Sequence, residues 1–345
     1  MKTMKGIAVL EVDRVEVVDD IPLPEPGDYE ALAKIHSCGF CNGRDFQIIN
    51  GLIEEKSGFA GFPTILGHEA AGEIVEIGRK VRYLKVGDRI INPMLRRNPG
   101  NGYHSTWGGM CEFGLVDDRQ ARQEDQVKPA DSIFIKQGPF PPGLSFNDAG
   151  VLLSLSECNS AAHNFGVRPG HDVLVYGAGP MGIGIAMFMK RLGVSSLTQV
   201  DLFEDRLEMA RRIAKSDRTI NTGKLDLDQE LAGQLFDRVV DAVGFSKLLV
   251  EGSGRLKPGG TVCSFGVLKV GDTVIDTALL KDNTALHMLN FPDGEYKIMR
   301  ETAELIQLGA VKPADFYSHT VPFEEISQAM ELVKSKKAFK VVLTF

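Results

Sequence analysis

The chain has 345 residues, 43% apolar and 25% charged, with a net charge of −7. That balance suits a globular protein with enough apolar residues for a sizeable core in each of two domains, and it excludes a disordered chain. The negative charge excludes bulk attraction to nucleic acid or to an anionic membrane surface.

Two short alternating strands are expected first, Gly6–Val12 and Val15–Asp19, then an extended linker at Ile21–Gly27, where each proline disfavours helix in the residue before it. Ala31–His36 reads as a strand, and Ser37–Asp45 as a turn carrying Cys38, Cys41 and Asp45. Pro63–Gly78 joins a turn to a strand, and Gly87–Ile91 does the same. Residues 93–108 read as a polar, glycine-rich loop with Arg96, Arg97, His104 and Trp107, and Phe140–Gly143 as a break. Met1–Gly6 lacks the apolar core of an export signal, and five cysteines is an odd number. Together these predict a cytoplasmic protein whose thiols are buried or ligate a metal.

From Asp148 to about Gly266 the pattern changes to alternating helix and strand. Helices are expected at Ala149–Phe165, Met181–Leu192, Glu204–Ala214 and Lys247–Leu256, and strands from Val173, at Leu197–Leu202, Phe236–Ala242 and Thr261–Phe265, the last after a turn at Lys257–Gly260. The alternation implies a doubly wound parallel sheet. Its first strand runs into Gly177-Ala178-Gly179-Pro180-Met181-Gly182, the spacing G-x-G-x-x-G. Gly177 permits the tight turn, Gly179 lets a pyrophosphate approach bare backbone, and Gly182 lets helix and strand pack closely. The phosphates then meet free N–H groups at a helix N-terminus. Asp201, 19 residues past Gly182, is placed to bind the ribose hydroxyls of NAD. The charge-free run Val173–Met189 is too short for a membrane span and holds four glycines and a proline. Two more helices, Tyr296–Leu308 and Phe323–Lys334, and a strand, Lys340–Phe345, complete the chain, with no pattern to say where that strand pairs.

Cys41 and His68 both lie in turns near strand ends, with Glu69 beside the histidine and Glu157 on the helix before the glycine turn. A thiolate, an imidazole and a carboxylate suit a catalytic zinc with one open position. Asp45 could take the other ring proton of His68. On spacing alone two plainer readings stay open: a buried apolar cysteine and a histidine satisfied within the core.

Gly67-His68-Glu69 followed by Gly72, Gly78 and Val81 fits G-H-E-x2-G-x5-G-x2-V over 15 residues. In this the chain resembles the zinc-type alcohol dehydrogenases of the medium-chain dehydrogenase/reductase superfamily. The resemblance extends to Cys38-Gly-Phe-Cys41, Gly87-Asp-Arg-Ile90, Gly108–Phe113, Val200–Arg206 and Lys340–Phe345. It therefore covers nearly the whole chain and is closest in style to the polyol and threonine dehydrogenase branches. It implies a GroES-like β-rich catalytic domain over residues 1–150 and 285–345, with a Rossmann NAD-binding domain at 151–284 between them. It also implies one catalytic zinc held by Cys41, His68 and Glu157, with Glu69 a conditional ligand and Asp45 behind the histidine. Asp201 and Arg206 would meet the adenosine end of NAD, and Gly266 and Val267 the nicotinamide end, with Val243 and Gly244 also binding the cofactor. The substrate would be a small alcohol or polyol, and the assembly a homodimer or homotetramer.

Three departures stand out. The third ligand is normally Cys or Glu, and ungapped counting back from Gly166 lands near Leu153 and Ser154; Glu157 aligns if the helix is one turn shorter, with Cys158 as the alternative. The hydroxyl that usually follows the zinc cysteine is replaced by Asn42, Gly43 and Arg44, which leaves water or the substrate's own hydroxyls as the proton route. The loop at 93–107 has no cysteines, so no four-cysteine structural zinc is expected, and Cys111 reads as buried packing. Two other activities fit the same residues less completely: a zinc-free reductase of enones or quinones, and an NAD(H)-binding sensor without turnover.

Overall fold

The structure, a computed structural model, describes residues 2–52, 59–128, 137–141, 143–268, 271–289 and 294–345. The chain forms two compact units, Met1–Leu153 with Arg300–Phe345, and Ser154–Met299.

The first unit is built around the strand Glu30–Phe40. Nearly every residue of it is buried, so the strand is an almost unbroken apolar run rather than an alternating one. Ala70–Ile77, Phe113–Asp117 and Val341–Thr344 each pair with it antiparallel. Arg89–Ile91 and Gly138–Pro139 extend the sheet on one side, and His319–Pro322 on the other. A smaller sheet runs Arg14–Pro22, Thr3–Glu11, Thr64–Ile65, His104–Ser105.

Several sequence expectations are corrected here. The linker expected from Ile21 begins only after Pro22, because the second strand continues to that residue, its final one. The expected turn Ser37–Asp45 is strand over its first four residues: Glu30–Phe40 carries Cys38 into the core. Only residues 41–43 turn, before the short helix Arg44–Ile49. The final strand finds its partner in this same place, with Val341 opposite Phe40 and Thr344 opposite Ser37.

The glycines of the G-H-E pattern are packing residues. A Cβ on Gly72 would lie 2.5 Å from the Lys34 carbonyl oxygen, and one on Gly78 would lie 2.0 Å from that of Gly27. Gly67 has φ +97°, and a Cβ there would meet the Met110 backbone nitrogen at 2.5 Å. Bare backbone at these points lets the strand after His68 lie against its neighbours.

The second unit is a parallel sheet in the order Arg218–Asn221, Ser196–Asp201, Asp172–Tyr176, Phe236–Asp241, Leu256–Ser264, Ala285–Met288. Strand order reverses between Asp172–Tyr176 and Phe236–Asp241, the crevice where such sheets bind dinucleotides. Strands Arg218–Asn221 and Ala285–Met288 carry too little apolar pattern to be read from sequence. The turn expected at Lys257–Gly260 lies inside Leu256–Ser264, where the pairing slips and Gly259 takes φ +78°. The helix expected at Ala149–Phe165 splits into Phe146–Ala149, capped by Ser145, and Leu152–Asn164. The helix from Glu204 is regular to Met209, widens into a π-turn over Ala210–Ala214 and stops at Lys215, whose φ is +56°. None of the five cysteines forms a disulfide. Among the described residues no helix is long and apolar enough to cross a membrane.

Candidate active site

In the first unit the end of strand Glu30–Phe40 delivers Cys41, and the turn before Ala70–Ile77 delivers His68 and Glu69. Their ligand atoms all lie within 4.8 Å of one another, and this is the one such group of three or more among the described residues. The fold brings Cys41 together with His68 and Glu69 from a separation of 27 residues in sequence.

Asp45 organises the cluster. It is fully buried in the first turn of helix Arg44–Ile49. Its Oδ2 accepts the Cys41 backbone N–H at 2.8 Å, and its Oδ1 faces His68 Nδ1 at 3.4 Å. Asp45, four residues after Cys41, thus reaches both the Cys41 backbone and the His68 ring. With Nδ1 turned to Asp45, His68 presents Nε2 to Glu69, 3.8 Å from Oε1. A carboxylate behind the ring fixes the tautomer that leaves Nε2 as a ligand. Burial by itself would lower the His68 pKa, but the Asp45 carboxylate and the Cys41 sulfur hold it well above its ordinary value. Burial likewise pushes the Cys41 thiol up, and the His68 ring more than offsets this, leaving it below its ordinary value. The pair thus favours thiolate and imidazolium, and a divalent metal would take the place of the proton. Zinc fits this donor set: half-buried soft and borderline ligands beside a buried carboxylate, with the histidine oriented from behind.

Two residues at this site escaped the sequence reading. Lys340 is buried, and its Nζ lies 2.7 Å from both oxygens of the buried Glu69. A lysine at the head of the apolar strand Val341–Thr344 is the signal that could have found it, since a buried ammonium needs a carboxylate. The pair shares the space beside Gly39 with packed backbone: a Cβ there would meet the Gly150 carbonyl oxygen at 2.4 Å, Glu69 Oε2 at 2.6 Å and Lys340 Cε at 3.1 Å. Trp107, noted in sequence only as part of a polar loop, sets its ring against His68 with centroids 5.1 Å apart. Glu157 lies on helix Leu152–Asn164 and belongs to the second unit.

In the second unit the glycine turn has the form its spacing predicts. Gly177 takes φ +97°, Pro180 opens the helix Pro180–Arg191, and a Cβ on Gly182 would lie 2.2 Å from the Gly177 carbonyl oxygen. Gly179 is open, the nearest atom to a Cβ there being Arg206 Nη1 at 3.9 Å. Asp201 ends strand Ser196–Asp201; its Oδ2 accepts the Ala178 N–H at 2.7 Å and its Oδ1 the Phe203 N–H at 3.0 Å. Arg206 rests its guanidinium over the Phe203 ring, 5.3 Å from its centroid. Gln199, also unread in sequence, donates from Nε2 to the Gly177 carbonyl at 3.0 Å from a fully buried position.

Removing the cation from the Lys340–Glu69 pair leaves a buried carboxylate without its ammonium. Lys340→Met is therefore expected to lower the stability of the metal-free protein by about 3–5 kcal/mol, measured by urea unfolding. Adding Glu69→Gln to it should recover much of the loss. A single-variant cost below about 1 kcal/mol would mean that the pair is already solvated.

Residues 27–126 match the family model for the alcohol dehydrogenase GroES-like domain, and residues 215–343 match that for zinc-binding dehydrogenases. A D-xylulose reductase from Aspergillus oryzae is 26% identical over 358 aligned residues, covering 99% of this chain and 97% of its own length. The sorbitol dehydrogenase of Homo sapiens is 26% identical over 349 residues, covering 94% of this chain and 92% of its own. An Escherichia coli CFT073 protein described as a short chain alcohol dehydrogenase, solved as a complex with NADH, superposes with a TM-score of 0.81 at 21% identity over 100% of both chains. The chain belongs to the zinc-type alcohol dehydrogenase family of the medium-chain dehydrogenase/reductase superfamily.

Proposed function

We propose that the protein is a zinc-requiring, NAD-dependent dehydrogenase acting on a small alcohol or polyol and its carbonyl partner. The observation that carries this is the convergence of Cys41, His68 and Glu69 within 4.8 Å on a histidine oriented by Asp45. The relatives named for D-xylulose, a keto sugar, and for sorbitol, a polyol, favour a polyol and its keto partner.

Bound zinc supplies Lewis acidity that lowers the pKa of a substrate hydroxyl, and the nicotinamide accepts the hydride. The rest is done by the chain. The Cys41 thiolate and His68 Nε2 would hold the ion, with Glu69 as the carboxylate that exchanges in. Asp45 keeps the proton on His68 Nδ1 and the Cys41 N–H in place. Lys340 sets the position from which Glu69 acts. Asn42 is unavailable for proton transfer from a hydroxyl, and its amide donates instead to the Phe339 carbonyl at 3.2 Å. Proton release then runs through water or through neighbouring hydroxyls of a polyol. Gly177, Gly179, Pro180, Met181 and Gly182 present the pyrophosphate site, Asp201 and Arg206 the adenosine site, and Val243, Gly244, Gly266 and Val267 the nicotinamide site. A cytoplasmic location and a homodimer or homotetramer complete the reading; light scattering that finds a monomer at every working concentration would remove the oligomer.

Cys41→Ser and His68→Ala should each abolish zinc retention and alcohol oxidation while leaving NADH binding within about twofold, because the dinucleotide turn is built in the other unit. Zinc content by elemental analysis, turnover and NADH titration are the three readouts. If Cys41→Ser keeps both zinc and turnover, the zinc-free reductase becomes the better account; if the wild-type protein binds NADH and zinc but turns over no alcohol in a broad panel, the sensor does. Glu157→Ala tests the remaining ligand: a lowered zinc affinity adds Glu157 to the set, and an unchanged affinity leaves Cys41, His68 and Glu69 as the protein ligands.

Cofactor choice follows from Asp201. Its carboxylate accepts ribose hydroxyls and repels a 2′-phosphate, so kcat/KM for NAD should exceed that for NADP by about tenfold or more, with Arg206 limiting the ratio. Equal values would mean that Arg206, not Asp201, governs the site.

A further inference from the structure

One buried acid of the second unit is not used by the chemistry above, and it touches both backbone segments assigned to the nicotinamide end. Asp241 is 1% exposed and ends the strand Phe236–Asp241 beside the reversal in strand order. Its Oδ1 accepts N–H groups from Val243 at 2.8 Å and Gly244 at 3.0 Å, and its Oδ2 accepts those of Gly244 at 3.2 Å and Phe245 at 3.3 Å. Its own carbonyl oxygen accepts the N–H groups of Phe265 and Gly266, both at 2.9 Å. One residue therefore binds both segments, the first through its side chain and the second through its backbone.

Those segments are pressed together. A Cβ on Gly244, whose φ is +91°, would lie 2.2 Å from the Val267 carbonyl oxygen, and one on Gly266 would lie 2.2 Å from the Gly244 nitrogen. Neither segment can shift without the other. With the N–H groups of 243–245 turned inward onto one carboxylate, the side chains left exposed are Val243 and Val267, 43% and 58% exposed, an apolar pair at the C-terminal edge of the sheet. Burial holds the Asp241 carboxyl above the usual carboxylate range, and the three N–H donors act against that shift. Such an acid in a core is retained only where its oxygens are needed as acceptors.

We propose that Asp241 is a positioning residue for the nicotinamide half of the dinucleotide, fixing the Val243–Gly244 and Gly266–Val267 backbone as one rigid shelf. The proposal rests on the reading that these residues face the nicotinamide, and it names the group that sets their geometry. Asp241→Asn keeps the size but replaces one acceptor oxygen with an NH2 group facing backbone N–H donors.

The test compares two ligands on the zinc-loaded protein by isothermal titration calorimetry. NADH carries the nicotinamide; ADP-ribose has the same adenosine and pyrophosphate without it. For Asp241→Asn the NADH Kd should rise about tenfold, the effect of one lost charge-assisted hydrogen bond, and the ADP-ribose Kd should stay within about twofold. Asp241→Glu, which keeps the charge and moves the oxygens by one methylene, should show the same split and serves if the asparagine variant does not fold. Equal weakening of both ligands, or no change in either, overturns the proposal, because a general structural acid would produce the first and an idle one the second. Failure of the wild-type protein to bind either ligand would instead overturn the dinucleotide site itself.

Discussion

The metal cluster depends on a balance of buried charge. Asp45, Glu69 and the Cys41 thiolate are three formal negative charges held close together, and Lys340 is one positive charge set against them. The remainder is two negative charges around a neutral histidine, which a divalent cation matches. Without the ion, a proton on His68 covers half the difference, which is why the ring is pushed toward its charged form. Neighbouring features serve this balance. Gly39 is a glycine because the Gly150 carbonyl and the Lys340–Glu69 pair together occupy the space of a side chain, and from the first turn of its helix Asp45 reaches both Cys41 and His68.

The two halves of the chemistry are built in different ways. The proposed dinucleotide site is made of turns at the ends of parallel strands, where glycines permit close approach and single acids (Asp201, Asp241) collect backbone N–H groups. The proposed metal site is made where antiparallel strands from distant parts of the chain meet, and it depends on register. A slip of one residue between Val341–Thr344 and Glu30–Phe40 would turn side chains to the opposite face and separate Lys340 from Glu69.

That difference decides what could be read from sequence. The glycine turn, Asp201 and the β-α alternation were legible because their physics is local: a strand, a tight turn and a helix start within a dozen residues. Cys41, His68 and Glu69 were legible because their flanking glycines form a pattern, and that pattern is set by backbone contacts at Gly67, Gly72 and Gly78. Lys340 was not, because its partner is 271 residues away and no local rule links them. Trp107 was lost in a loop whose composition reads as polar. The strand Glu30–Phe40 was cut short at His36 because Ser37, Cys38 and Gly39 look like turn residues; tertiary pairing on both edges overrides that preference.

The segment Phe339–Thr344 holds the Cys41 turn in three ways: Phe339 accepts from Asn42, Lys340 pairs with Glu69, and Val341 lies opposite Phe40. This has a consequence for how the protein is made. On the ribosome, Cys41, His68 and Glu69 emerge some 270 residues before the group that neutralises Glu69, and the intervening chain includes the whole second unit. Domains generally fold in the order they are synthesised, so the dinucleotide unit can close on itself while the metal ligands are still waiting for their last strand. Maturation of the metal centre is in this sense the final event of folding, and a chain stopped short of residue 340 would carry every proposed zinc ligand without the strand and cation that hold Glu69 in place.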